Sequence, residues 1–347
     1  MDSITHGLSG IVVSSLGIRQ KFGIPGMLVF TAVTLFPDID FLFNIISRSI
    51  YVRFHRGFTH SLIYLPLFAL FLSLIFYLLV KDIGFKNLYI ICFVGLLVHI
   101  LLDLLNSYGT PVLLPFSPKQ YSFNLDIIID AFVFIPLIAG VIIMWLLPSY
   151  QKSAGLIVLA FIIIGVLFRF SQKERAAGLM SKIEPASKAS MIPSGMGTIF
   201  NPFVWCSIIP HAPLERTQSG DKDISDKLKH NAKLSNGLRS SENLLLQQTG
   251  YSTYNINTLS GKVGEKSVIF YPRDEIAKFI PMSKAIRDFL NWSRFPFGRI
   301  ENTPEGVNVK LSDLRFQYGP KERFMLSVRF GKDNQLISER FGFSGND

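Results

Sequence analysis

His55-Arg56-Gly57-Phe58-Thr59-His60-Ser61 leads straight into an apolar run that starts at Leu62 and ends at Val80, before Lys81. That run is long enough to cross a bilayer. The stretch ahead of it places two imidazoles five residues apart, a guanidinium beside the first and hydroxyls around the second. Ionisable groups at the mouth of a membrane helix are costly without partners, so partners are expected elsewhere in the chain. They recur at the ends of other segments. Asp2 and His6 open the sequence, and Asp38 and Asp40 follow Pro37. His99 and Asp103 lie four apart in a second apolar run, and Asp126 and Asp130 four apart at the start of a third. The spacing of four stacks each pair on one helix face.

Composition separates two halves. The chain has 347 residues, 49% of them hydrophobic and only 17% charged, with a formal net charge of +10. Its mean hydropathy is +0.34. Before Glu174 there is no glutamate and there are only seven aspartates; apart from Asp82, in a solvated Lys-Asp linker, they are the six named above. Four of the six histidines share that half. A membrane half that avoids acids yet keeps these six is not using them as solubilisers. Two cysteines, Cys92 and Cys206, exclude a disulfide framework and a thiolate zinc site. The start of the sequence has no basic n-region, so no cleaved signal peptide is expected.

Residues 62–80, 88–105, 127–147 and 154–168 read as four strong transmembrane helices. Residues 8–18 and 22–36 are shorter and punctuated by Gly17, Gly23, Pro25 and Gly26. They fit either an apolar hairpin packed inside the bundle or short spans. Residues 106–125 carry Asn106, Gly109, Pro111, Pro115 and Pro118 and read as a loop. The composition turns polar near residue 171. Residues 171–250 are partly irregular, with a polar surface at 219–245, and residues 282–292 look helical. Two-residue alternation at 267–271, 307–311, 324–330 and 336–338 predicts antiparallel strands. The expected fold is an all-α polytopic membrane domain over residues 1–170, followed by a soluble α+β domain over 171–347.

With that topology the polar residues converge on one membrane face. Arg48, Arg53, Arg56, Lys119, Arg169, Lys173 and Arg175 lie there, against Lys81, Lys86 and Lys152 on the other, so the positive-inside rule points to the cytoplasm. A single buried His–Asp pair is ordinarily structural. Ten donors on one face are a different matter: Asp2, His6, Asp38, Asp40, His55, His60, His99, Asp103, Asp126 and Asp130. A catalytic zinc takes three protein ligands and a water. Ten donors accommodate two or three ions, with outer aspartates orienting imidazoles. Imidazole and carboxylate without thiolate suit Zn first, then Mn or Fe. Arg56 reads as a clamp for an anion, Thr59 and Ser61 as caps of the following helix, and Asn106 and Tyr108 as lining of the mouth.

Four motifs, in order, resemble the membrane-bound metal-dependent hydrolase family: Asp2-Ser3-Ile4-Thr5-His6, Phe36-Pro37-Asp38-Ile39-Asp40, the His55–Ser61 stretch, and His99-Ile100-Leu101-Leu102-Asp103. These are multi-pass proteins of the bacterial inner membrane, some of them LexA-regulated. Phe295-Pro296-Phe297 and Asp313-Leu314-Arg315 resemble the family's extra domain. The motif order is also distantly similar to the zinc-dependent phospholipase C and single-strand nuclease fold. The soluble relatives use glutamates and a free N-terminus in the site; this half has no glutamate, and Asp2 would have to serve. The resemblance implies hydrolysis by a metal-activated water of an ester or phosphoester, small or lipidic, in contact with the bilayer, with His60, Asp38 and Arg56 carrying the reaction. No nucleic-acid partner is expected. The rival expectations are an ion or proton transporter built on intramembrane His and Asp, and a non-catalytic scaffold with a structural metal.

Overall fold

The computed structural model describes residues 2–46, 51, 55–127, 130–185, 189–194, 200–211, 249–271, 273–316 and 325–342. Arg48, Arg53 and the polar surface expected at 219–245 lie outside them. Among the described residues the contacts divide into two compact units. One comprises Met1–Ser207, Asn255–Gly264 and Arg315–Lys321; the other comprises Ile208–Tyr254, Glu265–Leu314 and Glu322–Asp347.

A lipid-facing backbone must satisfy its own hydrogen bonds, and a helix does so within one segment. The apolar part of the first unit is accordingly helical: α1 (Ser3–Ser14), α2 (Ile18–Leu35), α3 (Phe43–Ile46), α4 (Leu65–Leu79), α5 (Phe85–Leu105), α6 (Ala131–Leu146) and α7 (Gln151–Ser181). Among the described residues three stretches are long and apolar enough to cross a membrane, namely Ile18–Leu42, Phe85–Leu105 and Pro148–Ser181. Two of the four expected spans form shorter apolar helices, Leu65–Leu79 and Ala131–Leu146. Their starts explain the difference. Pro66, in the first turn of α4, fixes the helix start beyond Leu62. Asp130 is extended (φ −117°, ψ 121°) and caps α6 by accepting from Phe132 N. The expected apolar hairpin is α1 against α2, and the 3-10 turn Phe36–Leu42 continues α2 into the first of the three long stretches.

Lipid offers little hydrophobic drive for helix association, so close backbone approach matters more. Gly10 of α1 sits where an added Cβ would lie 2.8 Å from Thr31 Cα of α2. Gly95 of α5 leaves the same kind of room for Val33. Phe30, Val33, Cys92, Leu96 and Ile100 fill the α2–α5 core. Val12, Leu137, Met144 and Val158 fill the core shared by α1, α6 and α7.

The C-terminal region is rich in antiparallel sheet. β1 (Ser190–Pro193), β2 (Val204–Pro210), β3 (Thr249–Asn257) and β4 (Lys262–Val263) form one sheet in that order, with β5 (Ser267–Tyr271) paired to β3. After α8 (Arg273–Ala277) and α9 (Lys284–Trp292) come β6 (Pro296–Thr303), β7 (Gly306–Asp313), β8 (Met325–Gly331) and β9 (Leu336–Gly342), each antiparallel to its neighbour. Alternation sends Val309, Leu311, Leu326, Val328 and Phe330 into a core. Phe279 packs on Phe330 there.

Replacing Gly10 by Leu must push α1 off the α2 backbone. The expected cost is about 1–3 kcal/mol, the usual range for overpacking, read as a fall in melting temperature in detergent. Gly165→Leu, at a position with nothing within 4 Å, should leave the melting temperature unchanged. Equal effects of the two changes would contradict the packing.

Candidate metal centre

Five side chains from four segments converge at one end of the helices. His6 lies in the first turn of α1, Asp38 in the 3-10 turn after α2, His60 in the 3-10 turn Phe58–His60, and His99 and Asp103 one turn apart near the end of α5. The three histidines and Asp103 are fully buried, and the Asp38 side chain is 11% exposed. His60 Nε2 and His99 Nε2 face each other at 3.0 Å. Asp103 presents Oδ1 to His6 Nε2 and Oδ2 to His60 Nε2, each at 3.3 Å. Asp38 Oδ1 is 3.7 Å from His99 Nε2 and 3.8 Å from His60 Nε2. Two overlapping triads result, His6–Asp38–His99 and His60–His99–Asp103.

These spacings fit a divalent ion. Ligands held tetrahedrally at about 2.1 Å lie roughly 3.4 Å from one another. Among the described residues Nδ1 of buried His6 has no hydrogen-bond partner, while its Nε2 faces Asp103 Oδ1 at 3.3 Å; buried polar atoms are ordinarily paired. His99 Nδ1 donates to the Thr34 carbonyl at 2.7 Å, which leaves the Nε2 lone pair aimed into the cluster. Two carboxylates against one nearby guanidinium leave an uncompensated negative charge that a cation would neutralise. An imidazole nitrogen has a single lone pair, so His99 can serve only one ion. Asp103 turns one oxygen toward each of two imidazoles, His6 and His60.

The remaining expected donors occupy other places. Asp2 caps α1, accepting from Thr5 N at 3.0 Å and from Thr5 Oγ1 at 2.5 Å. Asp40 Oδ1 pairs with His55 Nδ1 at 2.9 Å, and its Oδ2 accepts from Arg56 N at 2.8 Å. His55 stacks on Tyr51 and meets the edge of Tyr108. Burial lowers the His55 pKa, with the Asp40 hydrogen bond opposing it. Arg56 is buried with a left-handed backbone (φ 57°). Its Nη2 donates to Asp103 Oδ1 at 2.7 Å and its guanidinium lies 4.6 Å from the centre of the Tyr108 ring. Holding Asp103 is thus its clearest contact. Asp126 and Asp130 do not share a helix face: Asp126 bridges to Asn106 in an extended segment, and Asp130 precedes α6. Both pair with Arg169 of α7, at 3.4 and 2.5 Å.

Supporting contacts come from Ser3 and from the hydroxyls on either side of His60. Ser3 Oγ donates to Asp38 Oδ2 at 2.8 Å. Thr59 and Ser61 do not cap α4. Thr59 Oγ1 meets His60 Nδ1 at 3.0 Å, and Ser61 Oγ donates to the Leu114 carbonyl. The motif spacing pointed at the clustered histidines and aspartates, whereas Thr34 acts through a carbonyl that every residue possesses.

A bundle with apolar helices long enough to cross a membrane and a buried His/Asp cage at one end defines a membrane protein with a candidate metal centre. The chain belongs to the YdjM inner membrane protein family, which matches residues 1–176, about half of its length. It is similar to "Uncharacterized protein YfhP" of Bacillus subtilis (strain 168), with 29% identity over 150 residues. That similarity covers 41% of this chain and 46% of the relative, so the chain spans about half the length of the curated relative it matches. No solved structure matches.

The carboxylate pair outside the cage gives a pH dependence. Burial and the neighbouring Asp130 carboxylate raise the Asp126 pKa to about 7. The folded chain then holds a proton that the unfolded chain releases near the ordinary carboxylate value. Stability from this group is present at low pH and is lost as pH rises from about 4 through 7. Buried His55, whose pKa is lowered, contributes the opposite slope below about pH 6.5, so the test is the difference between proteins: between pH 4.5 and 8 the melting temperature of the wild type should lose more with rising pH than that of Asp126→Asn. An unchanged slope in Asp126→Asn would contradict the assignment.

Proposed function

We propose that the chain is a multi-pass inner-membrane hydrolase in which the cage of His6, Asp38, His60, His99 and Asp103 holds divalent metal, zinc foremost, with Mn or Fe as alternatives. The observation that carries the reading is the convergence of three imidazole Nε2 atoms and two carboxylates in a buried site, with His99 fixed by the Thr34 carbonyl. The order of the four motifs, similar to metal-dependent hydrolases, supports it, and membership in an inner-membrane family supports a substrate at or near the bilayer. In this reading α4 and α6 complete the four strong spans as short helices, and the site and C-terminal region face the cytoplasm. Nucleic acid is not among the partners.

Bound metal would supply Lewis acidity and lower the pKa of water for attack on an ester or phosphoester. The chain's own residues do the rest. Asp103 and Asp38 neutralise charge and set the spacing of the imidazoles. Arg56 fixes Asp103 through Nη2. Its buried Nε, without a hydrogen-bond partner among the described residues, is the group left for a substrate anion. Asp40 holds both His55 and the Arg56 backbone. The exposed side chains Phe41, Leu42 and Phe58 next to the cage segments suit a lipidic ester or phosphoester better than a fully soluble one.

His60→Ala should lower kcat/KM on a generic phosphodiester or carboxyl ester at least about a hundredfold, the upper range for disturbing groups that merely orient a ligand. Arg56→Lys should recover little of the loss seen in Arg56→Ala, because an ammonium cannot reproduce the planar fork. Metal-replete wild type that cleaves no phosphodiester, phosphomonoester or carboxyl ester would remove the enzyme reading. Movement of metal ions or protons by that protein in liposomes, stopped by His60→Ala, would replace it with transport.

A further inference from the structure

The other end of the same helices carries a groove that the cage does not use. α1 ends at Ser14, and Ser15 and Leu16 turn the chain tightly into α2 through hydrogen bonds to Val12 and Val13 carbonyls. α2 then breaks at Gly23 (φ 64°), two residues before Pro25. An added Cβ on Gly26 would lie 2.6 Å from Phe22 Cβ, so Phe22 folds back over Gly26. The first turn of α2 therefore leaves the line of the rest of the helix and opens a gap against α5. The gap has a volume of about 490 Å³, within the range of ligand-sized sites. Its walls are apolar, with Leu16, Ile18 and Phe22 on one side and Ile91 and Val94 on the other.

Two polar groups stand in it, and no acid does. Lys21 is exposed, with Nζ 5.0 Å from the centre of the Phe22 ring. Asn87 is the second, its amide nitrogen donating to the Ile83 carbonyl at 2.7 Å. An apolar slot in a membrane bundle is filled by acyl chains unless a helix covers it. Lys21 at its rim, with Arg19 and Lys86 close in sequence to the lining residues, offers a positive charge to an anionic head group in a medium of low dielectric.

We infer that this groove binds an anionic phospholipid of the bilayer, with an acyl chain along Phe22, Ile91 and Val94 and the head-group phosphate on Lys21. Asn87 lies twelve residues before His99 on α5, roughly 18 Å along the helix. The bound lipid sits in the leaflet opposite the cage and is not its substrate. It wedges the α1–α2 turn against α5, the three helices whose far ends supply His6, the Thr34 carbonyl and His99.

The test uses the full chain in phosphatidylcholine vesicles containing a trace of chain-labelled spin probe, either phosphatidylglycerol or phosphatidylcholine. The motionally restricted component of the electron spin resonance spectrum gives the relative association of the two lipids. Phosphatidylglycerol should be preferred roughly fivefold, the scale of one lysine acting on an anionic head group. Lys21→Ala should bring the ratio to about one. Val94→Trp, which fills the slot, should reduce the restricted phosphatidylglycerol component. Lys152→Ala, on the same side of the bundle by topology but outside the groove, should leave the preference intact. Equal association of both lipids with wild type, a preference that survives Lys21→Ala, or one that Lys152→Ala removes equally well would overturn the site.

Discussion

The hydrogen bond from His99 Nδ1 to the Thr34 carbonyl joins the two helices on which the rest of the site depends. It fixes the imidazole tautomer and turns Nε2 toward His60, Asp38 and Asp103. It also satisfies a carbonyl near the end of α2, where helix carbonyls run out of intrahelical partners. Its length requires α2 and α5 to be close, and that closeness comes from small residues. Gly95 admits Val33 of α2 against α5, and Gly10 admits the backbone around Thr31 of α2 against α1. His6 then stacks on His99 with ring centres 3.7 Å apart. One polar contact is thereby tied to the packing of three helices.

Around this contact the charges sort into two groups. Arg56 pairs with Asp103 inside the cage, and Asp126 and Asp130 share the single charge of Arg169 beside α6. A buried carboxylate without such a partner would protonate or destabilise the fold. The two arginines come from unlike settings. Arg56 adopts a left-handed conformation that an L-residue rarely takes, while Arg169 sits within the long α7. The ion pairs of Asp126 and Asp130 with Arg169 tie the segment before α6 to α7.

Much of this was legible in the sequence, for reasons that differ by residue. The spacing of His99 and Asp103 on an apolar run places both donors on one helix face, and the structure has them so. Polar residues at the ends of apolar runs marked His6, Asp38 and His60, because such positions are costly in lipid without a partner. Sequence could not separate the residues that cluster from those that sit beside them. Asp2 caps a helix whose start only the backbone reveals, and Asp40 differs from Asp38 by which face of a 3-10 turn it occupies. Asp126 and Asp130 read as a helical pair because their spacing is four; an extended Asp130 starts the helix after them. In the C-terminal region, alternation announced β5, β7, β8 and β9. It did not announce β3 or β6, whose Gly, Ser, Asn and Thr content resembles a loop.

X-ray absorption at the zinc edge of the purified, full-length chain loaded with zinc addresses the cage most directly. The account predicts a shell of nitrogen and oxygen only, near 2.0–2.1 Å, with the multiple-scattering signature of imidazole, reduced in His99→Ala. A chain that retains no zinc, a shell containing sulfur, or an all-oxygen shell unchanged by His99→Ala would contradict it.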